Sequence, residues 1–184
     1  TNETCEFYIQ LYEDIVIKSS NTLNITCKVN MATDGRIIVE KGAKLIIDGG
    51  EITTWSKQNI WDGIYIEGSG NGTPQNLTYQ GQLEVKNGGT ITNANVAVNT
   101  FIKDAYGNIN WATTGGMIFC DNANFINNVK DVQFMYYHGL AINNNVCVFK
   151  NTNFKITGPL KSNALPDSRV SLYEVNGVKF LGCN

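Results

Sequence analysis

The acidic residues are the first side chains in this sequence that could do chemistry. A pair of carboxylates about 5–9.5 Å apart can act as acid and base, or acid and nucleophile, on a glycosidic bond. Asp62, Asp104, Asp121 and Asp131 stand alone, and no Asp-Asp or Asp-x-Asp pair occurs on a candidate strand. We therefore predict no catalytic residue and a protein that is not an enzyme. The sequence also has no Asp cluster of the calcium-loop form, so no metal is expected.

Aromatic residues form the second chemical group, because their flat rings can stack on sugars as well as fill a core. Trp111, Tyr136 and Tyr137 lie beside two longer inserts, residues 99–114 and 136–145. Repetitive folds tend to carry their binding loops in such inserts. We predict these three residues as a ligand-binding group.

The chain contains five cysteines, Cys5, Cys27, Cys120, Cys147 and Cys183. There is no CxxC pair and only one histidine, so neither a zinc site nor another cofactor is expected. Cys5 and Cys27 are spaced to close a disulfide across an N-terminal cap, which is typical of an oxidising compartment outside the cytoplasm. Buried thiols are the alternative for the other three cysteines.

Charge and hydropathy exclude two classes of partner. The formal net charge is −2, and the lysines and arginines are scattered rather than gathered into a stripe that could follow a phosphate backbone. No apolar run approaches the roughly 20 residues that span a bilayer. We expect neither nucleic-acid binding nor membrane insertion.

The elements that must position these side chains are strands and turns. The chain has 18 Gly against 3 Pro, and Val, Ile, Phe and Tyr are spread along an Asn- and Thr-rich background. That composition favours strands joined by turns over helices. At 184 residues, one elongated domain is long enough to bury a core.

An internal repeat predicts how the strands are arranged. An apolar residue, a second one two positions later and a third six positions after that recur five times. The sets are Ile37, Val39 and Leu45; Leu83, Val85 and Ile91; Met117, Phe119 and Phe125; Val146, Val148 and Phe154; and Val170, Leu172 and Val178. The first two residues alternate as in a strand, and Asn and Gly in the following gap predict a tight corner.

Successive sets from Leu83 onward begin 34, 29 and 24 residues apart, a range that fits one turn of a solenoid with loops of different length. The first interval, from Ile37 to Leu83, is 46 residues and is expected to hold two turns. The segment "WDGIYIEG" would be the strand of the additional turn, with Trp61 packed at a corner of the coil.

These repeats predict an all-β fold, a right-handed parallel β-helix of the pectin-lyase-like type with about five to seven coils. One turn cannot bury its own apolar face, so it must stack on its neighbours, and crossovers between parallel strands are right-handed by default. A β-sandwich of hairpins and a leucine-rich repeat are alternatives. Outward positions are expected at Glu84, Ile118, Cys147, Lys150 and several asparagines.

Several motifs in order resemble the secreted parallel β-helix repeat proteins of Bacteroidota, many of which leave the cell by type IX secretion. They are "GRIIVEKGAKLIIDGGEIT", "WDGIYIEG", "QGQLEVKNGGTITNANVAV", "TGGMIFCDNANFINNVKDVQFMYY" and "NNNVCVFKNTNFKIT", over roughly residues 35–157. The resemblance implies a secreted or cell-surface protein with many domains, similar to adhesins. We therefore expect residues 1–34 to be an N-terminal cap or preceding segment and 35–184 to be a β-helix from a larger protein.

The resulting expectation is a non-enzymatic extracellular module that acts as scaffold, spacer or adhesion segment. Its partners would be a surface or extracellular polysaccharide, or other parts of a larger surface protein. The alternative is a carbohydrate-active β-helix, either a polysaccharide lyase or a glycoside hydrolase, because this fold hosts both. His138-Gly139 in "YYHGLAI" resembles a His-Gly near the catalytic acids of β-helical polygalacturonases, and an ordinary loop histidine is the other reading.

Overall fold

A computed structural model describes residues 9–139 and 145–184. The described residues form eighteen strands and two short 3-10 helices, Trp111–Thr113 and Lys161–Asn163. The strands are β1 (Ile9–Gln10), β2 (Ile15–Ile17), β3 (Thr22–Ile25), β4 (Lys28–Met31), β5 (Arg36–Val39), β6 (Lys44–Asp48), β7 (Glu51–Thr54), β8 (Gly63–Ile66), β9 (Gln82–Lys86), β10 (Thr90–Thr92), β11 (Val96–Asn99), β12 (Met117–Asp121), β13 (Asn124–Ile126), β14 (Lys130–Tyr137), β15 (Val148–Lys150), β16 (Asn153–Lys155), β17 (Val170–Val175) and β18 (Lys179–Leu181).

The strands form three parallel six-stranded sheets. We call them sheet A (β1-β4-β7-β10-β13-β16), sheet B (β2-β5-β8-β11-β14-β17) and sheet C (β3-β6-β9-β12-β15-β18). The chain visits A, B and C in turn, so three consecutive strands make one coil and there are six coils. This confirms the predicted right-handed parallel β-helix and its number of coils.

The coils begin within the segment that the sequence assigned to a cap or preceding segment. Strands β2, β3 and β4 all lie inside residues 1–34 and pair in register with β5, β6 and β7. Ile17, Ile25 and Val29 on these strands are buried. Residues 9–34 therefore contribute to the same core as the rest of the solenoid.

The side chains that point into the core agree with three of the five predicted repeat sets and differ from the other two. In sheet C, Leu83 pairs with Ile118, and Val85 pairs with Cys120, which pairs in turn with Phe149. The inward residues of β12 and β15 are therefore one position from the ones that were predicted, Met117, Phe119, Val146 and Val148. Both faces of "MIFC" and "VCVF" are apolar, so alternation could not distinguish them, and a slip of one residue exchanges the two faces.

Ile118 and Cys147 were predicted to point outward, and that prediction is wrong. Both side chains are fully buried and belong to the core. Glu84 and Lys150 do lie on the outer side of sheet C, since their neighbours Val85 and Phe149 point inward.

The interval from Ile37 to Leu83 holds less than two coils, because the two residues lie in different sheets. Ile37 pairs with Ile64 in the next coil of sheet B, and Leu83 belongs to sheet C of that same next coil. The remaining length is the loop 67–81. The segment "WDGIYIEG" does contain a strand, β8, as predicted.

Asparagine forms tight corners after the strands, as the repeat predicted. Asn87, Asn122 and Asn151 follow the sheet C strands of consecutive coils with φ of 54°, 56° and 47°. Asparagine tolerates this left-handed backbone better than most residues. The corner is repeated from coil to coil, so the strands stay in register.

Trp61 packs at a corner, also as predicted. Its side chain is fully buried, and its indole N–H donates to the Thr92 carbonyl at 2.8 Å. Gly63 follows with φ of 135°, and a Cβ there would stand 1.8 Å from the Val96 carbonyl oxygen. Only glycine fits where these two coils approach.

Candidate functional site

Trp111 is the predicted site residue that the structure presents to solvent. It begins the 3-10 helix Trp111–Thr113 inside the insert between β11 and β12, residues 100–116, and is 50% exposed. Asn110 caps this turn by accepting a hydrogen bond from the backbone N–H of Ala112 at 3.2 Å. Thr113 donates its hydroxyl hydrogen to the Asn110 carbonyl at 2.7 Å. The indole is therefore held on an ordered turn.

The aromatic partner of Trp111 is Tyr173 on β17. Their ring centroids are 6.0 Å apart with the planes inclined at 53°, and Tyr173 is 49% exposed. Tyr173 pairs directly with Met135 of β14. Met135 and Tyr173 point outward because the flanking Phe134 points into the core. We call Trp111, Met135 and Tyr173 the aromatic patch.

Tyr136 and Tyr137, the other two predicted ligand-binding residues, are not brought into contact with Trp111. Tyr137 is buried, its hydroxyl donates to the Thr73 carbonyl, and its ring closes against Gly115, where a Cβ would meet it at 2.6 Å. Burial raises the pKa of this phenol. Tyr137 thus contacts both the loop 67–81 and the insert 100–116.

Tyr136 is half-buried and packs edge-on against His138, with 5.0 Å between the ring centroids. The backbone N–H of His138 donates to the Asn71 side-chain oxygen at 2.7 Å. The predicted insert 136–145 is described only in part, since residues 140–144 lie outside the described residues.

A network on the outer side of sheet B anchors the insert that carries Trp111. The Tyr65 ring packs edge-on against Phe101, with the Lys103 ammonium 5.2 Å from the Tyr65 ring centroid. Tyr65 donates its hydroxyl hydrogen to Asp62 at 2.8 Å, and burial followed by the Asp62 charge raises the pKa of Tyr65. At the tip, Asp104 accepts backbone N–H groups from Tyr106 and Asn108, and these hydrogen bonds lower its pKa.

The base of the insert is joined to the loop 67–81. Gly68 and Gly70 donate their N–H groups to the carbonyls of Thr113 and Thr114 at 2.8 and 3.0 Å. Thr114 donates its hydroxyl hydrogen to the Tyr136 carbonyl at 2.9 Å. These bonds link consecutive coils and fix the orientation of the turn that holds Trp111.

The side-chain amide of Asn99 is fully buried and has no hydrogen-bond partner among the described residues. It lies at the end of β11, in register with Gln133 on one side and Tyr65 on the other. A buried amide without partners costs about 1–3 kcal/mol. Nothing in the backbone conformation explains why an amide stands here.

Asn99→Leu is expected to raise the free energy of unfolding by about 1–3 kcal/mol, because the substitution removes an unsatisfied amide and keeps its approximate volume. Equilibrium urea unfolding measures the change. Gln80→Met is the matched control: Gln80 is also fully buried, but its amide bonds Thr73, Pro74 and Ser69. The control should lose about 1–3 kcal/mol. A comparable loss for Asn99→Leu would contradict the assignment of Asn99 as unsatisfied.

The four carboxylates that were considered for catalysis lie in separate environments. Asp62 bonds Tyr65, Asp104 closes a loop, Asp121 lies on the outer side of sheet C, and Asp131 is fully buried beside Arg169. Burial raises the pKa of Asp131 to about 6, and hydrogen bonds with Asn128 and Arg169 oppose that shift. The structure does not bring these four residues together as an acid pair.

The outer side of sheet C carries a second surface feature, an open groove of about 590 Å³. It is lined by residues 84–87, residues 119–122, Val148 and Lys150. Glu84 lies 2.6 Å from Lys44 and 3.1 Å from Lys86, and hydrogen bonding to these lysines lowers its pKa. A carboxylate held in its charged form fits ionic contact better than proton donation.

Cys27, Cys120 and Cys147 lie in the core rather than at a reactive surface, and Cys183 is half-buried. Burial raises the pKa of Cys120, and it raises that of Cys147 to about 12. Cys27 is buried just before β4, while Cys5 lies outside the described residues, so the disulfide between them stays a prediction. In the described part of the chain, no three His, Cys, Asp or Glu side chains are grouped so that they could hold a metal ion.

No helix within residues 9–139 and 145–184 is long and apolar enough to cross a membrane. Comparisons with known proteins found no matching family model, no similar curated protein and no similar solved structure.

Proposed function

We propose that this protein is a non-enzymatic, extracellular or cell-surface β-solenoid module that binds a polysaccharide through the aromatic patch. The observation that carries the proposal is the contact between Trp111 and Tyr173, two large aromatic side chains that are each about half exposed. Side chains of this size normally bury most of their surface. Neighbouring exposed apolar groups on a soluble protein mark an interaction surface.

The chemistry of the patch fits a sugar ring. A pyranose has one face of C–H groups that packs on an aromatic ring, while its hydroxyls need polar partners. Gln133 and Ser171 supply such partners: they pair with each other two positions before Met135 and Tyr173, on the same outward side of sheet B. A few polar groups beside an aromatic surface are typical of sites that bind an uncharged ligand.

The position of the patch on the surface of a sheet favours binding to an internal stretch of a polysaccharide. The patch lies on the outer side of sheet B in the fifth and sixth coils, beside the insert that covers Tyr65 and Asn99 in the third and fourth coils. Parallel strands are about 4.8 Å apart, so one sugar residue of about 5 Å covers roughly one coil. An internal part of a long polysaccharide could lie across the patch without needing a free end.

Binding is favoured over catalysis because the carboxylates have other roles. Asp131 is paired with Arg169 away from the surface, and Glu84 is held in its charged form by Lys44 and Lys86. The resemblance of the coil motifs to secreted β-helix proteins of Bacteroidota supports an extracellular location as part of the same proposal.

The test is a glycan-array screen of the whole chain, followed by titration of the best oligosaccharide and by product analysis. Trp111→Ala and Tyr173→Ala are each expected to weaken binding about tenfold or more, equivalent to about 1.4 kcal/mol. Tyr106→Ala is the matched control, because Tyr106 is 90% exposed at the tip of the same insert. The control should bind as the unmodified chain does.

Two results would contradict the proposal. Binding that survives both patch substitutions would place the ligand elsewhere, and a parallel Tyr136→Ala variant would show whether the pair of Tyr136 and His138 is that other place. New reducing or unsaturated sugar ends in the incubated polysaccharide would show a carbohydrate-active enzyme instead.

A further inference from the structure

The outer side of sheet C carries a row of alternating charges, which we call the charge row. In consecutive coils, from the second to the fifth, the row consists of Asp48, Lys86, Asp121 and Lys150. Each residue pairs in register with the next: Asp48 with Lys86, Lys86 with Asp121, and Asp121 with Lys150. The row therefore runs along the solenoid axis with one charge per coil, about 4.8 Å apart.

Only half of the charge row is neutralised within the chain. Lys86 lies 3.6 Å from Asp48 and 3.1 Å from Glu84. Asp121 and Lys150 are exposed, and neither forms an ion pair among the described residues. The side chain of Asn151 is 3.5 Å from Asp121. Two exposed charges of opposite sign thus remain at the end of an ordered row.

The row is complementary to itself when it is reversed. A two-fold axis parallel to the strands, between the third and fourth coils, turns a second copy so that its coils run in the opposite order. Lys86 then faces Asp121 of the second copy, and Asp48 faces Lys150. A copy placed in the same coil order would set like charges opposite one another, which is unfavourable.

A neighbouring row runs beside the charge row on the same outer side of sheet C. It contains Ile46, Glu84, Phe119 and Val148 in the same four coils. The axis that pairs the charges also sets Ile46 opposite Val148 of the second copy and Glu84 opposite Phe119, with Glu84 keeping its ion pairs to Lys44 and Lys86 of its own chain. The groove along residues 84–87 and 119–122 lies on this face, at the ends of β9 and β12. An interface in which one patch meets itself across a two-fold axis is the usual form of a homodimer.

From this self-complementary pattern we propose that sheet C is the interface of an antiparallel, face-to-face homodimer. Six strands of three to five residues make a face of at most roughly 24 Å by 16 Å, which is small for a permanent interface. The dimer should therefore be reversible, with a dissociation constant on the order of 10 µM. The aromatic patch lies on sheet B, so the dimer leaves it accessible, and the two proposals are independent.

Sedimentation velocity of the chain from low micromolar to submillimolar concentration tests this proposal. A monomer–dimer equilibrium that weakens with added salt is expected, because the charges at the interface are solvent-accessible and screened. Lys86→Asp should weaken the dimer about tenfold or more. Lys155→Asp, at an exposed lysine on the outer side of sheet A, is the matched control and should leave the equilibrium unchanged.

A charge exchange separates pairing from simple loss of stability. The variant Asp48→Lys/Lys86→Asp/Asp121→Lys/Lys150→Asp keeps the net charge and the alternation, so it should dimerise with itself. It should not form mixed dimers with the unmodified chain, because every facing pair would then be of like charge. Circular dichroism and thermal unfolding verify that each variant is folded.

Three results would overturn the proposal. They are an unmodified chain that stays monomeric at every concentration, a Lys86→Asp variant that dimerises normally, and mixed dimers that form as readily as the matched ones.

Discussion

Phe125→Ala is expected to lower the free energy of unfolding by about 3–5 kcal/mol, the cost of emptying a large site in a packed core. Phe125 is fully buried and lies between Ile91 and Phe154 in the inward row of sheet A. Its ring stacks on Phe154 with 5.2 Å between centroids and packs edge-on against Phe149 at 6.4 Å. The neighbouring coils cannot move together to fill the cavity, because the hydrogen bonds between their parallel strands set the distance between coils.

Reversible urea unfolding measures this loss, with Phe180→Ala as the graded control. Phe180 belongs to the same aromatic cluster, stacked 5.0 Å from Phe149, but it is 39% exposed in the sixth coil. Its truncation should cost roughly half as much, because less apolar surface is returned to water. A loss below about 1 kcal/mol for Phe125→Ala would contradict the inward register of sheet A.

Arg169→Met is expected to cost about 3–5 kcal/mol near neutral pH, because it removes the cation beside a buried carboxylate together with three hydrogen bonds from the arginine to backbone carbonyls. The Arg169 guanidinium donates to Asp131 at 3.2 Å, and also to the carbonyls of Asn128, Val129 and Asp167. Asp131 is fully buried on β14. The pair joins the segment 156–169 to the fifth coil.

A double-mutant cycle tests whether the loss comes from the unpaired charge. Asp131→Asn/Arg169→Met should recover much of the stability lost by Arg169→Met, because no charge then remains buried. Arg36→Met is the control for an exposed pair: Arg36 lies 2.7 Å from Asp14, both side chains are partly exposed, and a loss below about 1 kcal/mol is expected. Equal losses for Arg169→Met and for the double variant would show that packing of the arginine, rather than its charge, matters.

The stability that Asp131 contributes to the folded protein should fall as the pH rises. The pKa of Asp131 is about 6 in the folded protein and about 3.9 in an unfolded chain, so the folded state binds the proton more tightly. The stability that this group contributes is complete below about pH 4 and is lost as the pH rises through about 6. The penalty of Arg169→Met should accordingly be larger at about pH 8 than at about pH 5, where Asp131 is protonated. An equal penalty at both values would contradict this account.

The sequence allowed the architecture to be predicted because a solenoid is built from local, repeated signals. Asn87, Asn122 and Asn151 mark equivalent corners, and alternation in segments such as "KLIID" and "QLEVK" marks the strands. Each coil contacts its neighbours in the same way, so one correct corner predicts the next. The number of coils followed from the repeat length.

Register was predicted less well where both faces of a strand are apolar. Ile118 and Cys147 were placed outside and Phe119 inside, although the structure has them the other way round. A polar residue on one face of each strand would have shown which face is exposed and which is buried. In its absence, only pairing with Leu83 and Val85 of the preceding coil decides which side chain is buried.

The candidate binding residues show the division between sequence and tertiary structure. Sequence by itself determined that Trp111 lies in an insert of a β-solenoid, because inserts and corners are local features. Only the tertiary structure decided that Tyr173, rather than Tyr136 or Tyr137, is its neighbour, and that Asp48, Lys86, Asp121 and Lys150 form one row. The physical reason is that stacking of parallel coils sets these contacts, through hydrogen-bond register between strands that are distant in the chain.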